Sequence, residues 1–279
     1  MISIKKFTRK YKYKLRTFLN KEAINLAWDR GTNFGDAVNP ILIENITKKK
    51  ILWCNPKYFP SDYLMAIGSI LQKATSNALI WGSGYITKDS MVDSAPRKIY
   101  AVRGPLTRKL LLSQGIECPE VYGDPALLLP KIYNPKITKK YKLGVIPHYI
   151  DKEHPNLEIF KNNKDINIID IKDANHYNFI DNLLSCEKII SSSLHGIIVA
   201  DAYNIPSIWI EFSKNVKGDG FKFLDYFSSV NRVDKKPFEI QKDSSIEEIL
   251  KLFYSYKIEI DLEKLIESCP YHINLNSSN

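Results

Sequence analysis

Short apolar segments alternate with amphipathic segments along most of this chain. Apolar runs of strand length lie at residues 24–28, 64–68, 78–81, 99–102, 142–146, 166–171, 188–191 and 207–211. Segments with helical periodicity lie at residues 37–47, 105–113, 174–186, 195–203, 221–228, 245–256 and 262–268. Parallel strands need long crossover connections, usually helices, which cover both faces of the sheet. The alternation therefore predicts an α/β fold class with parallel sheets.

One polar stretch, residues 130–140, interrupts the alternation with lysines and prolines. At 279 residues the chain is long enough for two ordinary domains, so we interpret this stretch as a linker. The prediction is two Rossmann-like lobes, residues 22–136 and 137–279, after an N-terminal tail of residues 1–21. Because ligands of such sheets bind at the carboxyl ends of the strands, we expect a cleft between the lobes.

The tail carries nearly all of the net charge. The chain has a formal charge of +9, and residues 1–21 hold eight Lys and Arg side chains and no acid. Its apolar residues recur at helical spacing, at Ile4, Phe7, Tyr11, Leu15 and Phe18. A basic amphipathic helix suits an anionic membrane surface, which predicts a membrane contact through residues 4–19. The alternative is that the stripe packs on the protein's own body. The nearly neutral remainder predicts no nucleic-acid partner.

The compartment follows from what the sequence contains. The four cysteines form no CxxC pair, which is typical of reduced thiols in the cytoplasm. No apolar run reaches the ~18–20 residues of a membrane helix, and no secretory signal is recognisable. The five histidines share no metal-ligand spacing, so no metal site is expected. We expect a cytoplasmic protein that attaches peripherally to the inner face of the plasma membrane.

Two glycine-containing turns follow predicted strands. The first holds Asn33, Gly35 and Asp36, and the second is Gly82-Ser83-Gly84. Glycine lets a backbone approach a ligand closely, and the helix after the first turn offers free N–H groups. All six residues are therefore candidates for substrate binding. The alternative is that both are tight structural turns and that Asp36 caps the helix.

A basic residue ends another predicted strand. Arg103 would be costly to bury without an anion, and its planar guanidinium suits a carboxylate or a phosphate. Anion binding and a structural ion pair with an acid such as Asp124 both remain open. Asp124 itself lies in the turn Gly123-Asp124-Pro125, for which a structural capping role is favoured.

The most informative junction combines hydroxyl groups with a histidine. Ser191, Ser192 and Ser193 follow an apolar strand and precede a helix that begins near His195. Three hydroxyl groups and the free amides of a helix N-terminus form an anion site, beside which a histidine can act as a proton donor.

Residues 212–225 form a loop with lysines, glycines and aromatic residues after the last strong strand. Lys214, Lys217 and Lys222 are in a position to neutralise a phosphate, and we predict Lys214 and Lys217 as the binding residues. The alternative is a solvated loop followed by a helix.

In their order and spacing these segments resemble the polysaccharide pyruvyl transferase family. The matching pieces are NFGD at 33–36, WGSG at 81–84, AVRGPLT at 101–107, GDPALLLP at 123–130, SSSLHG at 191–196 and GDGFKFLDYF at 218–227. The resemblance covers residues 24–230. It implies a two-lobe architecture like that of B-type glycosyltransferases, with parallel sheets.

The resemblance also implies a reaction. The donor would be phosphoenolpyruvate, the acceptor a lipid-linked oligosaccharide or other precursor of a cell-surface polysaccharide, and the product a pyruvate ketal on two sugar hydroxyls, with no further cofactor. His195 matches the catalytic histidine of the family, and Arg103 matches an arginine of the donor site. A family lysine falls beside Asn215, flanked by Lys214 and Lys217. Ser193 stands where some members have arginine.

Two other functions fit parts of the same pattern. A nucleotide-sugar glycosyltransferase would use the same glycine turns, a basic diphosphate pocket and an acid near the ribose, for which Glu211 is the candidate. A non-catalytic subunit of a glycan-assembly complex would not need His195.

Overall fold

The computed structural model describes residues 13, 16, 19–31, 33–173 and 175–275. The predicted apolar stripe of the tail lies outside these residues, so the membrane contact stays a prediction. Within the tail, Arg16 donates to the Trp53 carbonyl oxygen at 2.8 Å and lies over the Tyr13 ring. No helix in the described part of the chain is both long enough and apolar enough to cross a membrane.

The N-terminal lobe contains one parallel five-stranded sheet. Its strands are β1 (Ile24–Leu26), β2 (Ile51–Trp53), β3 (Tyr63–Met65), β4 (Ala78–Trp81) and β5 (Lys98–Ala101), and its helices are α1 (Phe34–Thr47) and α2 (Pro105–Ser113). The strand order is β2-β1-β3-β4-β5. Registers such as Ile24 opposite Ile51 and Leu64 opposite Leu79 are all parallel.

The C-terminal lobe repeats this arrangement. Its strands are β6 (Tyr141–Ile146), β7 (Ile166–Ile168), β8 (Cys186–Ser191), β9 (Ser207–Glu211) and β10 (Phe238–Glu239), in the order β10-β9-β8-β6-β7 and all parallel. Its helices are α3 (His176–Leu184), α4 (Leu194–Ala202), α5 (Phe221–Ser229) and α6 (Ile246–Lys251), and the chain continues to the last described helix, α7 (Leu262–Glu267). The described residues also include three 3-10 segments, Leu71–Lys73, Pro125–Lys131 and Pro155–Phe160.

The two lobes share one topology. Read from the other edge, the C-terminal strand order is β7-β6-β8-β9-β10. In both lobes the sheet therefore runs from the lobe's second strand to its first, and then to its third, fourth and fifth. In each lobe the strand order changes sense between the first and third strands, and such a switch point opens a crevice at the carboxyl ends of the strands. The two-lobe α/β fold with parallel sheets is confirmed; the closer likeness to B-type glycosyltransferases stays a prediction.

A common core joins the lobes. Helix α1 buries Val38, Leu42 and Ile46 on one face, and its Phe34 ring lies 4.3 Å from the Phe179 ring of the other lobe. The Trp81 indole N–H donates to the Leu265 carbonyl oxygen at 2.9 Å, which places α7 on the N-terminal lobe. Although residues 137–279 were assigned to the second lobe by sequence, their C-terminal part thus returns to the first.

Two local predictions differ from the structure. The helix expected over 245–256 ends at Lys251, because the Tyr256 hydroxyl enters a buried network with Asp201 at 2.6 Å and Arg232 at 2.8 Å. That contact draws the chain off the helical path. Strands β2 and β10 were not predicted; they are short strands at the edges of their sheets, and neither contains a fully buried residue.

Candidate active site between the lobes

A pocket of about 160 Å³ lies where the carboxyl ends of both sheets meet. From the N-terminal lobe, Asp36 and Ser69 line it; from the C-terminal lobe, His148, His195 and Lys222 do. These side chains follow strands β1, β3, β6, β8 and β9, which include the two strands at each switch point. The expected cleft is therefore present, and both lobes contribute polar groups to it.

His195 lies in the first turn of α4 and is 8% exposed. Its imidazole packs on the backbone of Gly35 from the other lobe: a Cβ atom at position 35 would lie 2.0 Å from Nδ1. Its Nε2 atom lies 3.7 Å from Oδ2 of Asp124. Both of these atoms are buried and have no hydrogen-bond partner among the described residues.

Asp36 faces the same pocket from α1. Its neighbour Asn33 is the N-cap, with its side chain accepting from the Gly35 amide at 3.2 Å. The Asp36 carboxylate accepts no hydrogen bond within the described part of the chain and is left for a ligand. Burial raises the pKa of Asp36 to about 6, against the opposing effect of nearby His195. The amides of α1 are already used, since Phe34 N–H donates to the Ile171 carbonyl oxygen and Asp36 N–H to that of Asn33.

Lys222 is the basic side chain that the structure brings to the pocket. It is 9% exposed, and no carboxylate of the described residues lies within ion-pair distance of it. Burial, and to a lesser extent Arg103, lowers its pKa to about 8. Lys214 instead bridges Glu211 and Glu239 at 2.5 and 2.7 Å with its side chain 73% exposed.

Lys217 is likewise exposed and outside the pocket. The loop at residues 212–225 does carry a site lysine, but it is the third of the three, at the start of α5. Sequence spacing could not select it, because the helix boundary determines which lysine turns inward.

Arg103 does not line the pocket. It is fully buried, with Nε donating to Asp225 Oδ2 at 2.9 Å, one amino group to Ser69 Oγ at 2.6 Å and the other to the Tyr85 carbonyl oxygen at 2.6 Å. The structural ion pair left open by the sequence is the arrangement present, with Asp225 as partner instead of Asp124. Arg103 is connected to the pocket through its hydrogen bond to Ser69, which lines the pocket.

The Gly82-Ser83-Gly84 turn also lies behind the pocket. Ser83 is fully buried and donates to the Gly68 carbonyl oxygen at 2.9 Å. A Cβ at position 82 would lie 2.2 Å from Pro125 Cδ, and one at position 84 would lie 2.6 Å from the Arg103 guanidinium carbon. The space beside these glycines is therefore filled by protein atoms, and residues 82–84 do not line the pocket. Their role in substrate binding stays a prediction.

The three serines divide their roles. Ser191 Oγ donates within the fold, to the carbonyl oxygens of Ile146 and Ser193, and Ser192 Oγ accepts from the His148 amide at 2.7 Å. Only Ser193 lines the pocket, as the N-cap of α4 whose side chain makes no capping bond. The amides of Leu194 and His195 donate to no acceptor in the described ranges, so this helix N-terminus keeps its anion-binding groups.

His148 lines the pocket and Asp124 lies beside His195, although the sequence favoured a structural role for both. Burial, reinforced by Lys222 and Lys172, lowers the pKa of His148 to about 4, so it is neutral near pH 7. Asp124 was expected to cap a turn, and its Oδ1 does accept from the Ala126 amide at 2.9 Å. Its second oxygen faces His195 because of the way the lobes pack, and the local sequence does not indicate this contact.

Fold and site together define a two-lobe α/β protein whose interlobe pocket holds acidic, basic and imidazole groups. A family model for polysaccharide pyruvyl transferase matches residues 3–214, and the chain belongs to that family. It is 30% identical over 207 residues to the uncharacterized protein L143 of Acanthamoeba polyphaga mimivirus, covering 71% of each chain. It is 28% identical over 229 residues to the succinoglycan biosynthesis protein ExoV of Rhizobium meliloti (strain 1021), covering 78% of this chain and 68% of the relative.

Proposed function

We propose that this protein transfers the enolpyruvyl group of phosphoenolpyruvate to two hydroxyl groups of a sugar in a polysaccharide precursor, forming a pyruvate ketal. The observation that carries the proposal is the meeting of His195, Asp36 and Lys222 in one interlobe pocket. Membership of the polysaccharide pyruvyl transferase family and the similarity to a succinoglycan biosynthesis protein support it.

The donor carries a phosphate and a carboxylate, and the pocket offers matching groups. Lys222 supplies a buried positive charge, and the N-terminus of α4 supplies the amides of Leu194 and His195 beside the Ser193 hydroxyl. Positive charge and helix amides in a partly dry pocket bind anions more strongly than in water. These four residues are our proposed donor site. Arg103 contributes indirectly, by supporting Ser69 and the helix that bears Lys222.

The chemistry needs a proton donor near the methylene carbon of the enol phosphate. His195 gives a proton to the methylene carbon, and the adjacent carbon acquires oxocarbenium character. One sugar hydroxyl adds to that carbon, the C–O bond to phosphate breaks, and the second hydroxyl closes the ketal. The sugar hydroxyls release two protons. One restores the proton that His195 gave to the methyl group, and the other leaves with phosphate. Asp36, with a pKa of about 6, accepts a hydroxyl proton.

The acceptor in this proposal is a lipid-linked oligosaccharide at the cytoplasmic face of the membrane. Tyr149 and Ile86 line the pocket from opposite lobes, and Tyr149 is 40% exposed, so its ring is accessible to a sugar. A basic tail of +8 over residues 1–21 would keep the enzyme near an anionic surface that carries such acceptors.

Ligand-dependent unfolding tests the donor. The unfolding temperature is measured with phosphoenolpyruvate, inorganic phosphate, UDP or GDP, because a ligand at 100 times its Kd stabilises by about 2.7 kcal/mol. We expect phosphoenolpyruvate to stabilise beyond phosphate. Stabilisation by a nucleoside diphosphate alone would favour the glycosyltransferase, whose expected acid, Glu211, is paired with Lys214 and does not line the pocket.

Product formation tests the transfer. A polysaccharide freed of pyruvate by mild acid is incubated with the protein and phosphoenolpyruvate. We expect release of inorganic phosphate together with a new ketal methyl signal by NMR, both lost in His195→Gln. Phosphate release without the ketal signal would contradict the proposal, and full activity of His195→Gln would contradict the role of the histidine.

A further inference from the structure

Asp124 is a fully buried acid with one unused oxygen. It is the N-cap of the 3-10 segment Pro125–Lys131, and Oδ1 meets the capping role by accepting from the Ala126 amide at 2.9 Å. Oδ2 is buried without a hydrogen-bond partner in the described part of the chain. An unsatisfied buried carboxylate oxygen costs free energy, so a capping role alone does not account for Asp124.

The atom opposite is unpartnered as well. Nε2 of His195 is buried, and Asp124 Oδ2 lies 3.7 Å away. That separation is an ion-pair distance, and it exceeds a hydrogen bond by about 0.7 Å. Hydrogen bonds of catalytic groups are often long in the absence of ligand and tighten when substrate binds. A small approach of the lobes would satisfy both atoms together.

The two side chains come from different lobes and each is held from behind. Asp124 is fixed between Gly123, whose φ is +136°, and Pro125, which packs against Gly82 so closely that a Cβ there would lie 2.2 Å from the proline ring. His195 is fixed by the Gly35 backbone. The glycine turn after β4 thus sets the position of Asp124, although it does not reach the pocket.

We propose that Asp124 is the positioning residue for His195, accepting the Nε2 proton so that Nδ1 serves the pocket. This inference rests on the proposed function for its kinetic consequence. The carboxylate keeps Nε2–H in the neutral ring and stabilises the positive ring that donates from Nδ1. After the proton passes from Nδ1 to the methylene carbon, the ring is neutral and still bears Nε2–H. The proton donor is complete only when both lobes meet.

The test combines kinetics with the protonation pattern of the ring. Asp124→Asn keeps an oxygen for the Ala126 amide but presents an amide N–H to Nε2, which favours the opposite tautomer. We expect kcat to fall by about 100-fold or more while KM for phosphoenolpyruvate changes less than about threefold. Nitrogen NMR of labelled histidine, with His195→Gln for assignment, should show Nε2–H in the parent protein and Nδ1–H in the variant.

Asp261→Asn is the matched control, because Asp261 caps α7 through the Lys264 amide at 2.8 Å and does not line the pocket. It should leave both readouts unchanged. A parent protein whose neutral His195 ring carries its proton on Nδ1 and none on Nε2 would overturn the proposal without any variant, as would an Asp124→Asn protein with normal kcat. If the parent protein transfers no pyruvyl group, the proposed function fails while the tautomer still decides the role of Asp124.

Discussion

The Nε atom of Arg103 donates to Oδ2 of Asp225 at 2.9 Å, and both side chains are fully buried where the two lobes meet. Thr107 donates to the same carboxylate from its amide at 2.8 Å and its hydroxyl at 2.7 Å. Asp225 lies three residues after Lys222 on α5, so both share one helix face. The ion pair therefore fixes the helix that carries the pocket's lysine.

Arg103→Met should destabilise the protein strongly, because it leaves the Asp225 carboxylate buried without its cation. Breaking a buried pair on one side costs about 3–5 kcal/mol. Denaturant unfolding measures the loss. Arg97→Met, which removes a surface pair with Asp62, should change the free energy of unfolding by no more than about 1 kcal/mol. Equal effects of the two substitutions would contradict the structural role.

Lys222→Met should abolish most anion binding while leaving the fold intact. Binding needs the charged lysine, whose pKa is about 8, so in the parent protein the affinity for phosphoenolpyruvate should fall above pH 8, by up to about tenfold per pH unit. Calorimetric titration with phosphoenolpyruvate and with phosphate measures this. Lys188→Met is the control, since Lys188 is a half-buried lysine over the Phe253 ring, outside the pocket. An unchanged affinity of Lys222→Met for phosphoenolpyruvate would contradict the proposed donor site.

Asp36→Asn should stabilise the protein at neutral pH and abolish transfer. The folded pKa of about 6 lies above the ordinary 3.8, so ionisation of Asp36 opposes folding above pH 6 and has no effect below pH 3.8. The gain is at most about 3 kcal/mol at pH 7.5 and should vanish near pH 3.8. Thermal unfolding at both pH values measures it, with the exposed Asp89→Asn as control. A loss of stability at pH 7.5 would show that the carboxylate is held by a favourable contact.

Gly35→Ala should lower transfer by at least about tenfold without unfolding the protein. Its Cβ would lie 2.0 Å from His195 Nδ1, so the ring must move, whereas alanine is favourable in a helix. Steady-state kinetics and the unfolding temperature separate the two effects. Gly31→Ala is the control, because its Cβ would meet Asp36 Oδ2 at 3.8 Å and the Asn33 nitrogen at 3.9 Å, which are ordinary van der Waals distances. Normal kinetics in Gly35→Ala would show that the imidazole position is unimportant.

Much of the fold followed from the sequence because its signals are local. Helix α2 lies where the pattern placed it, with proline in its first turn, and strand β9 matches its predicted bounds. Long apolar runs mark strands that are buried on both faces. The repeated topology of the lobes was not predicted, since strand order depends on which crossovers pack together and leaves no period in the sequence.

The sequence by itself determined the α/β fold class, the family and the position of His195 at a helix N-terminus, because these depend on residue type and spacing along the chain. Only the tertiary structure decided that Lys222 enters the pocket instead of Lys214, that Arg103 is paired with Asp225, and that Asp124 faces His195. Each of these contacts joins residues more than 70 positions apart or depends on which face of a helix is turned toward the pocket. Contacts of that kind are fixed by the packing of one lobe against the other.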